Sequence, residues 1–111
     1  MGRQETPIQA EIYKALRADE RVTITRHNVY KPGYHVGRKA PKSEDGVADL
    51  ILCVQGAYVE MDTKAHNGKP EDSQLERMVR IRNLGGYYVF VQSVAQAQEL
   101  VNEICRKREK P

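Results

Sequence analysis

The amino-acid sequence predicts an α/β fold in which a central mixed sheet is flanked by helices. Three observations carry this reading. Helical apolar spacing occupies residues 7–16, 70–84 and the stretch after Ser93. Short β-branched and aromatic runs occupy 22–25, 50–54 and 87–91, with another run ending in Asp62-Thr63-Lys64. The order is helix, strand, long loop, strand, strand, helix, strand, helix, which describes a small α/β sandwich.

A chain of 111 residues fits one domain spanning 1–111, with a core small enough that an oligomer is compatible with it. The formal charge of +3 and the sequence pI near 8.9 favour a polyanionic partner only weakly, because 15 acidic residues stand against 18 basic ones. No stretch has the length of a signal peptide or membrane span, so the expectation is a cytoplasmic protein without a membrane partner, in a bacterium or in the host of a phage. The two cysteines, Cys53 and Cys105, lack CxxC spacing and read as small hydrophobes, and the three histidines share no local spacing.

The first helix carries Ile8, Ile12 and Ala15 or Leu16 as its apolar stripe, with Thr6 as N-cap and Pro7 at the first helical position. Val22-Thr23-Ile24-Thr25 forms a short strand that leads into Arg26-His27-Asn28. Residues 31–46 are rich in glycine, proline and charge without a period, and read as a long basic loop. Lys31, Arg38, Lys39 and Lys42, interleaved with Tyr34 and His35, suit phosphate contacts and base stacking, or simply a solvated surface. After the paired runs around Gly56, Asn67-Gly68 marks a turn. The next helix has Leu75, Met78, Val79 and Ile81 as its less polar positions and stops at Gly85-Gly86. The run 87–91 is expected as the central strand. Ser93 and Gln96 read as a capping box for the last helix, whose stripe is Val94, Ala97, Leu100, Val101, Ile104 and Cys105.

The stretch 47–64 carries the chemistry. Strand side chains repeat with a period of two, so Glu60, Asp62 and Lys64 share a face, and a hairpin brings Asp49 to it. Two carboxylates beside a lysine at the ends of apolar strands suit a divalent ion held against a phosphodiester. Magnesium, or manganese in its place, prefers hard oxygen ligands and keeps several waters, so Asp49, Asp62 and the Thr63 carbonyl form the expected protein share. Lys64 would orient or deprotonate water, or stabilise charge on the phosphate. Glu5 lies just before the first helix, Glu11 within it and Glu60 on the acidic face, and any of the three could complete the site.

With these residues in view, the sequence resembles the virus-type replication-repair nuclease (VRR-NUC) family of the restriction-endonuclease-like PD-(D/E)XK superfamily. The resemblance runs from Glu5 to about Ile104. Glu5-Thr6-Pro7-Ile8-Gln9 matches the family's Glu-x-x-Ile-Gln, and Arg26-His27-Asn28 its Arg-x-Asn. Gly46-Val47-Ala48-Asp49-Leu50 matches Gly-x-Pro-Asp-Leu, and Asp62-Thr63-Lys64 the acid-x-lysine, followed by Gly68, Gln74, Gly85-Gly86 and Ser93. Alanine stands at 48 where the family has proline, and aspartate at 62 where it has glutamate.

The resemblance implies a small restriction-endonuclease-like fold and a catalytic set of Glu5, Asp49, Asp62, Lys64 and Gln74. Glu5 would be a helix carboxylate near the metal, and Arg26 and Asn28 would join the loop cations on DNA. It implies a homodimeric, metal-dependent endodeoxyribonuclease that resolves four-way, Holliday-type junctions. The alternatives are a nuclease cutting flaps or duplex sites in a restriction system, and a nucleic-acid-binding module without catalysis.

Overall fold

The computed structural model describes residues 7–27, 46–64 and 68–109. Along the chain run α1 (Pro7–Arg17), β1 (Val22–Arg26), β2 (Leu50–Val54), β3 (Ala57–Thr63), α2 (Asp72–Asn83), β4 (Tyr87–Val91) and α3 (Val94–Glu109). The strands form one sheet in the order β1-β2-β3-β4, antiparallel except for the parallel pair β3 and β4 that α2 connects. The expected mixed sheet with flanking helices is therefore present. The basic loop as far as residue 45 and the turn residue Asn67 lie outside the described residues.

The strand period divides the sheet into two unlike faces. Leu50, Leu52 and Val54 of β2 and Ala57, Val59 and Met61 of β3 point to one side. There they meet Ile12 and Leu16 of α1 and Ala97, Val101, Ile104 and Cys105 of α3 in the main core. These helices contribute the apolar stripes expected of them. Ser93 accepts from the Gln96 N–H at 3.1 Å, but the Gln96 side chain reaches back to the Gln92 N–H at 2.7 Å, so the expected box closes one residue earlier.

The other face lies under α2. Its apolar part is small: Ile81 and Met78 pack with Ala48, Tyr88 and Phe90. Leu75 and Val79, expected to be core positions, face outward and are 40% and 54% exposed. The reason is that Gln74 and Arg77 take the inward positions above polar groups of β3. A second expectation also changes, because β4 stands at an edge among the described residues and the central strands are β2 and β3. Cover by helices on both faces makes a parallel edge strand as apolar as a central one. Cys105 is buried as expected, whereas Cys53 is exposed on the α2 side of β2.

Two turns set the register. Gln55 and Gly56, both at positive φ, close the β2–β3 hairpin in two residues, so Val54 faces Ala57 and Leu50 faces Met61. The α2 C-terminus closes with Gly85 N–H on the Arg82 carbonyl at 3.0 Å and Gly86 N–H on the Ile81 carbonyl at 2.9 Å, with Gly85 left-handed.

Gly46 joins the two halves of this face. It adopts φ +78°, and a Cβ there would lie 2.2 Å from the Ser73 carbonyl oxygen in the first turn of α2. Its own carbonyl accepts the Tyr88 hydroxyl at 2.6 Å. Gly46→Ala is expected to destabilise the fold by about 2 kcal/mol or more, since both backbones would have to move. A urea midpoint unchanged from wild type would refute the close packing.

Candidate active site

The β2–β3 register places the chemistry. Ile51 faces Glu60 and Leu50 faces Met61, so Asp49 comes opposite Asp62 at the end where β2 begins and β3 ends. The ladder is replaced there by a side-chain contact, the Asp49 N–H donating to Asp62 Oδ1 at 3.2 Å. Thr63 Oγ1 donates to Asp49 Oδ2 at 3.2 Å, while the Asp49 carbonyl accepts the His27 N–H at 2.7 Å. The two carboxylates thus belong to neighbouring central strands, held by backbone as well as side chains.

Lys64 and Gln74 complete the group. Lys64 Nζ lies 3.2 Å from Asp62 Oδ2 and donates to Gln74 Oε1 at 2.8 Å. Gln74 Nε2 donates to Asp62 Oδ2 at 3.0 Å. The same Gln74 Oε1 accepts the Glu71 N–H at 3.0 Å, which ties the start of α2 to the site. An ammonium has three donors, and two of them have these partners, so a third remains for a water or phosphate oxygen among the described residues.

Glu60 has a different fate. It is completely buried, and Arg77 Nη2 donates to its Oε2 at 2.6 Å while Nε lies 3.2 Å from both oxygens. The Tyr58 hydroxyl donates to Oε2 at 2.6 Å and the Ala48 N–H to Oε1 at 3.3 Å. Its charge is therefore already balanced. The sequence leaves Glu60 open as a ligand and carries no local signal that pairs it with Arg77. Only the helix placement pairs them.

The two carboxylates titrate in opposite directions. Burial alone would raise Glu60, but Arg77, Tyr58 and the Ala48 N–H outweigh it and hold the group below its ordinary range. Asp62 is pushed above its ordinary range by burial and then by the Asp49 charge, against the opposing pull of Lys64. The Asp49 and Asp62 oxygens are hard donors whose charges repel at close range, and this donor set fits a hard divalent cation. Asp49 and Asp62 would hold it, with water filling much of the shell. Among the described residues no third His, Cys, Asp or Glu joins them in a metal-sized group.

Other expected residues separate from this group. Arg26 follows the core face of β1, its guanidinium 4.2 Å from the Tyr13 ring centroid of α1. Glu11 is exposed on α1, across the sheet from the carboxylates. Glu5, Asn28, Lys31, Arg38, Lys39 and Lys42 lie outside the described residues.

Linkage fixes the sign of a pH test. A lowered carboxylate contributes stability that is present above its unfolded value and lost as pH falls through the folded one; a raised carboxylate does the reverse. Glu60→Gln is expected to cost about 3 kcal/mol at neutral pH by leaving Arg77 without its counter-charge, and the deficit should shrink as pH falls below 4.5. Measured against Asp62→Asn, wild type should instead gain stability as pH falls from neutral toward 3.8. Urea unfolding across this range checks both slopes, and parallel slopes would overturn the assignment.

No family model matches the chain, and no curated protein matches it. A solved structure described as a VRR_NUC domain does, with a TM-score of 0.61 and 22% sequence identity over 86% of this chain and 90% of that one. With the strand order, the helix layers and this match together, the chain has the fold of a VRR_NUC domain.

Proposed function

We propose that the protein is a metal-dependent, structure-selective endodeoxyribonuclease that acts on four-way DNA junctions as a homodimer. The observation that carries this reading is the grouping of Asp49, Asp62, Lys64 and Gln74 at one end of the central strands. The likeness to a VRR_NUC domain supports it at the level of fold. Magnesium or manganese, bound by Asp49 and Asp62, would supply charge stabilisation at the phosphorus and a more acidic water.

The chain's own residues do the rest. Lys64 directs its remaining N–H toward a phosphate oxygen or the attacking water. Gln74 holds Lys64 and Asp62 in one arrangement by accepting from the first and donating to the second. The Thr63 hydroxyl restrains the Asp49 carboxylate. Loop cations Lys31, Arg38, Lys39 and Lys42 would neutralise DNA phosphates, adding affinity without sequence choice.

A second copy suits the small footprint of one domain, since two sites related by a twofold axis match the two symmetric strands of a junction. Leu75 and Val79, one turn apart on the outer side of α2, are exposed apolar positions for that contact. Among the described residues no helix is long and apolar enough to cross a membrane.

The deciding experiment compares cleavage of a synthetic four-way junction, flap, duplex and single strand, with magnesium, manganese or chelator. Paired nicks on the junction that vanish with chelator are expected. Lys64→Ala should lose about 10²–10³-fold in kcat. Cutting without regard to branching would replace the junction reading with a flap or restriction nuclease, and tight binding without cutting would replace it with a binding module. Magnesium is also expected to raise the unfolding midpoint of wild type and to do so less in Asp62→Asn, because only the folded pair of carboxylates binds it. Equal shifts in both proteins would remove Asp62 from the metal site.

A further inference from the structure

Glu60 and Arg77 are absent from the chemistry described above, yet their contact is the most heavily hydrogen-bonded in this face of the molecule. A completely buried carboxylate receives Arg77 through two nitrogens, Tyr58 through its hydroxyl and Ala48 through its N–H. Buried ion pairs gain little stability over apolar packing, because both charges leave water. Their directional bonds do something apolar contacts cannot: they fix the position of one element on another.

The spacing shows which elements these are. Glu60 and Asp62 are two residues apart on β3 and share a face; Arg77 and Gln74 are three apart on α2 and share a face. Arg77 meets Glu60 where Gln74 meets Asp62, so the helix and strand are cross-linked twice in step. The apolar contacts of α2, through Ile81 and Met78, lie on its C-terminal side and fall on β4 and Ala48. Besides the backbone approach of Gly46 to Ser73 in the first turn, the side-chain anchor nearest to Gln74 is the guanidinium fork.

We propose that Arg77 is a positioning residue, and that its ion pair with Glu60 sets the rotation and axial placement of α2 so that Gln74 reaches both Asp62 and Lys64. The role in turnover rests on the nuclease reading above. The link between Arg77 and the Gln74 geometry does not. A helix displaced along β3 would carry the Gln74 amide away from its two partners, and Lys64 would lose the acceptor that aims it. Errors of about 1 Å in such an arrangement cost on the order of 10²-fold in rate.

The test uses the full chain with Arg77→Met and with the double variant Glu60→Gln/Arg77→Met. The double variant removes both charges; the glutamine oxygen still accepts the Ala48 N–H and its NH2 donates to the Tyr58 hydroxyl oxygen, so it stays folded if the single variant does not. The readouts are the urea midpoint, kcat and KM on the substrate cleaved by wild type, and the Gln74 side-chain amide resonances. The double variant is expected to unfold cooperatively with a midpoint above that of Arg77→Met, to lose about 10²-fold in kcat with KM little changed, and to show the Gln74 amide pair moved toward solvent-exposed positions. A folded double variant with unchanged kcat and unchanged Gln74 resonances overturns the proposal. If wild type cuts none of the DNAs, the nuclease reading fails, and the Gln74 resonances still decide the anchor: a shift supports it and no shift refutes it.

Discussion

Burying two carboxylates on the same face of one strand is the constraint that organises this molecule. Glu60 and Asp62 are both removed from water, and neither can remain so without donors. The donors arrive from α2, from the two residues before β2 and from Tyr58 and Lys64 at the two ends of β3. That requirement explains why α2 turns Gln74 and Arg77 inward and leaves Leu75 and Val79 outside. It also explains the close approach at Gly46, where the chain before β2 has to pass under the first turn of α2.

The two layers divide the work. On the α1 and α3 side, aliphatic side chains of β2 and β3 meet two amphipathic helices in a continuous apolar core. On the α2 side the apolar contact is confined to Ala48, Ile81, Tyr88 and their neighbours. Stability therefore comes mainly from one face, and the other tolerates charge. The opposite titration of its carboxylates shows how the charges are used. Glu60 is satisfied by its partners, whereas burial and the Asp49 charge together outweigh the pull of Lys64 on Asp62.

Two departures from the VRR-NUC pattern have physical readings in the structure. Alanine at 48 retains the N–H that proline lacks, and this N–H points to Glu60 Oε1 at 3.3 Å. The aspartate at 62 is a methylene shorter than glutamate, and its carboxylate sits directly against the backbone N–H of Asp49 at 3.2 Å. The first exchange belongs with the buried ion pair. The second keeps the acid close to the strand, where Gln74 can reach it from above.

Local patterns were enough to reveal the element order, the hairpin and the acid-x-lysine face. Period-two alternation puts Asp62 and Lys64 on one side whatever they pack against, and Gly56 and Gly85 mark turns that few other residues can make. Asp49, Asp62 and Lys64 were legible for the same reason, each lying at a strand end in a readable register. Which polar residues go inside was not legible. Arg77 and Leu75 occupy neighbouring faces of an amphipathic helix, and hydropathy alone buries the leucine. The tertiary structure reverses this, because a helix packed over Glu60 and Asp62 stabilises the fold more by supplying a guanidinium and an amide than by burying one more aliphatic side chain. The place of β4 at the sheet edge and the orientation of Arg26 onto Tyr13 were likewise decided by which helix covers which face, a long-range choice that leaves no period in the chain.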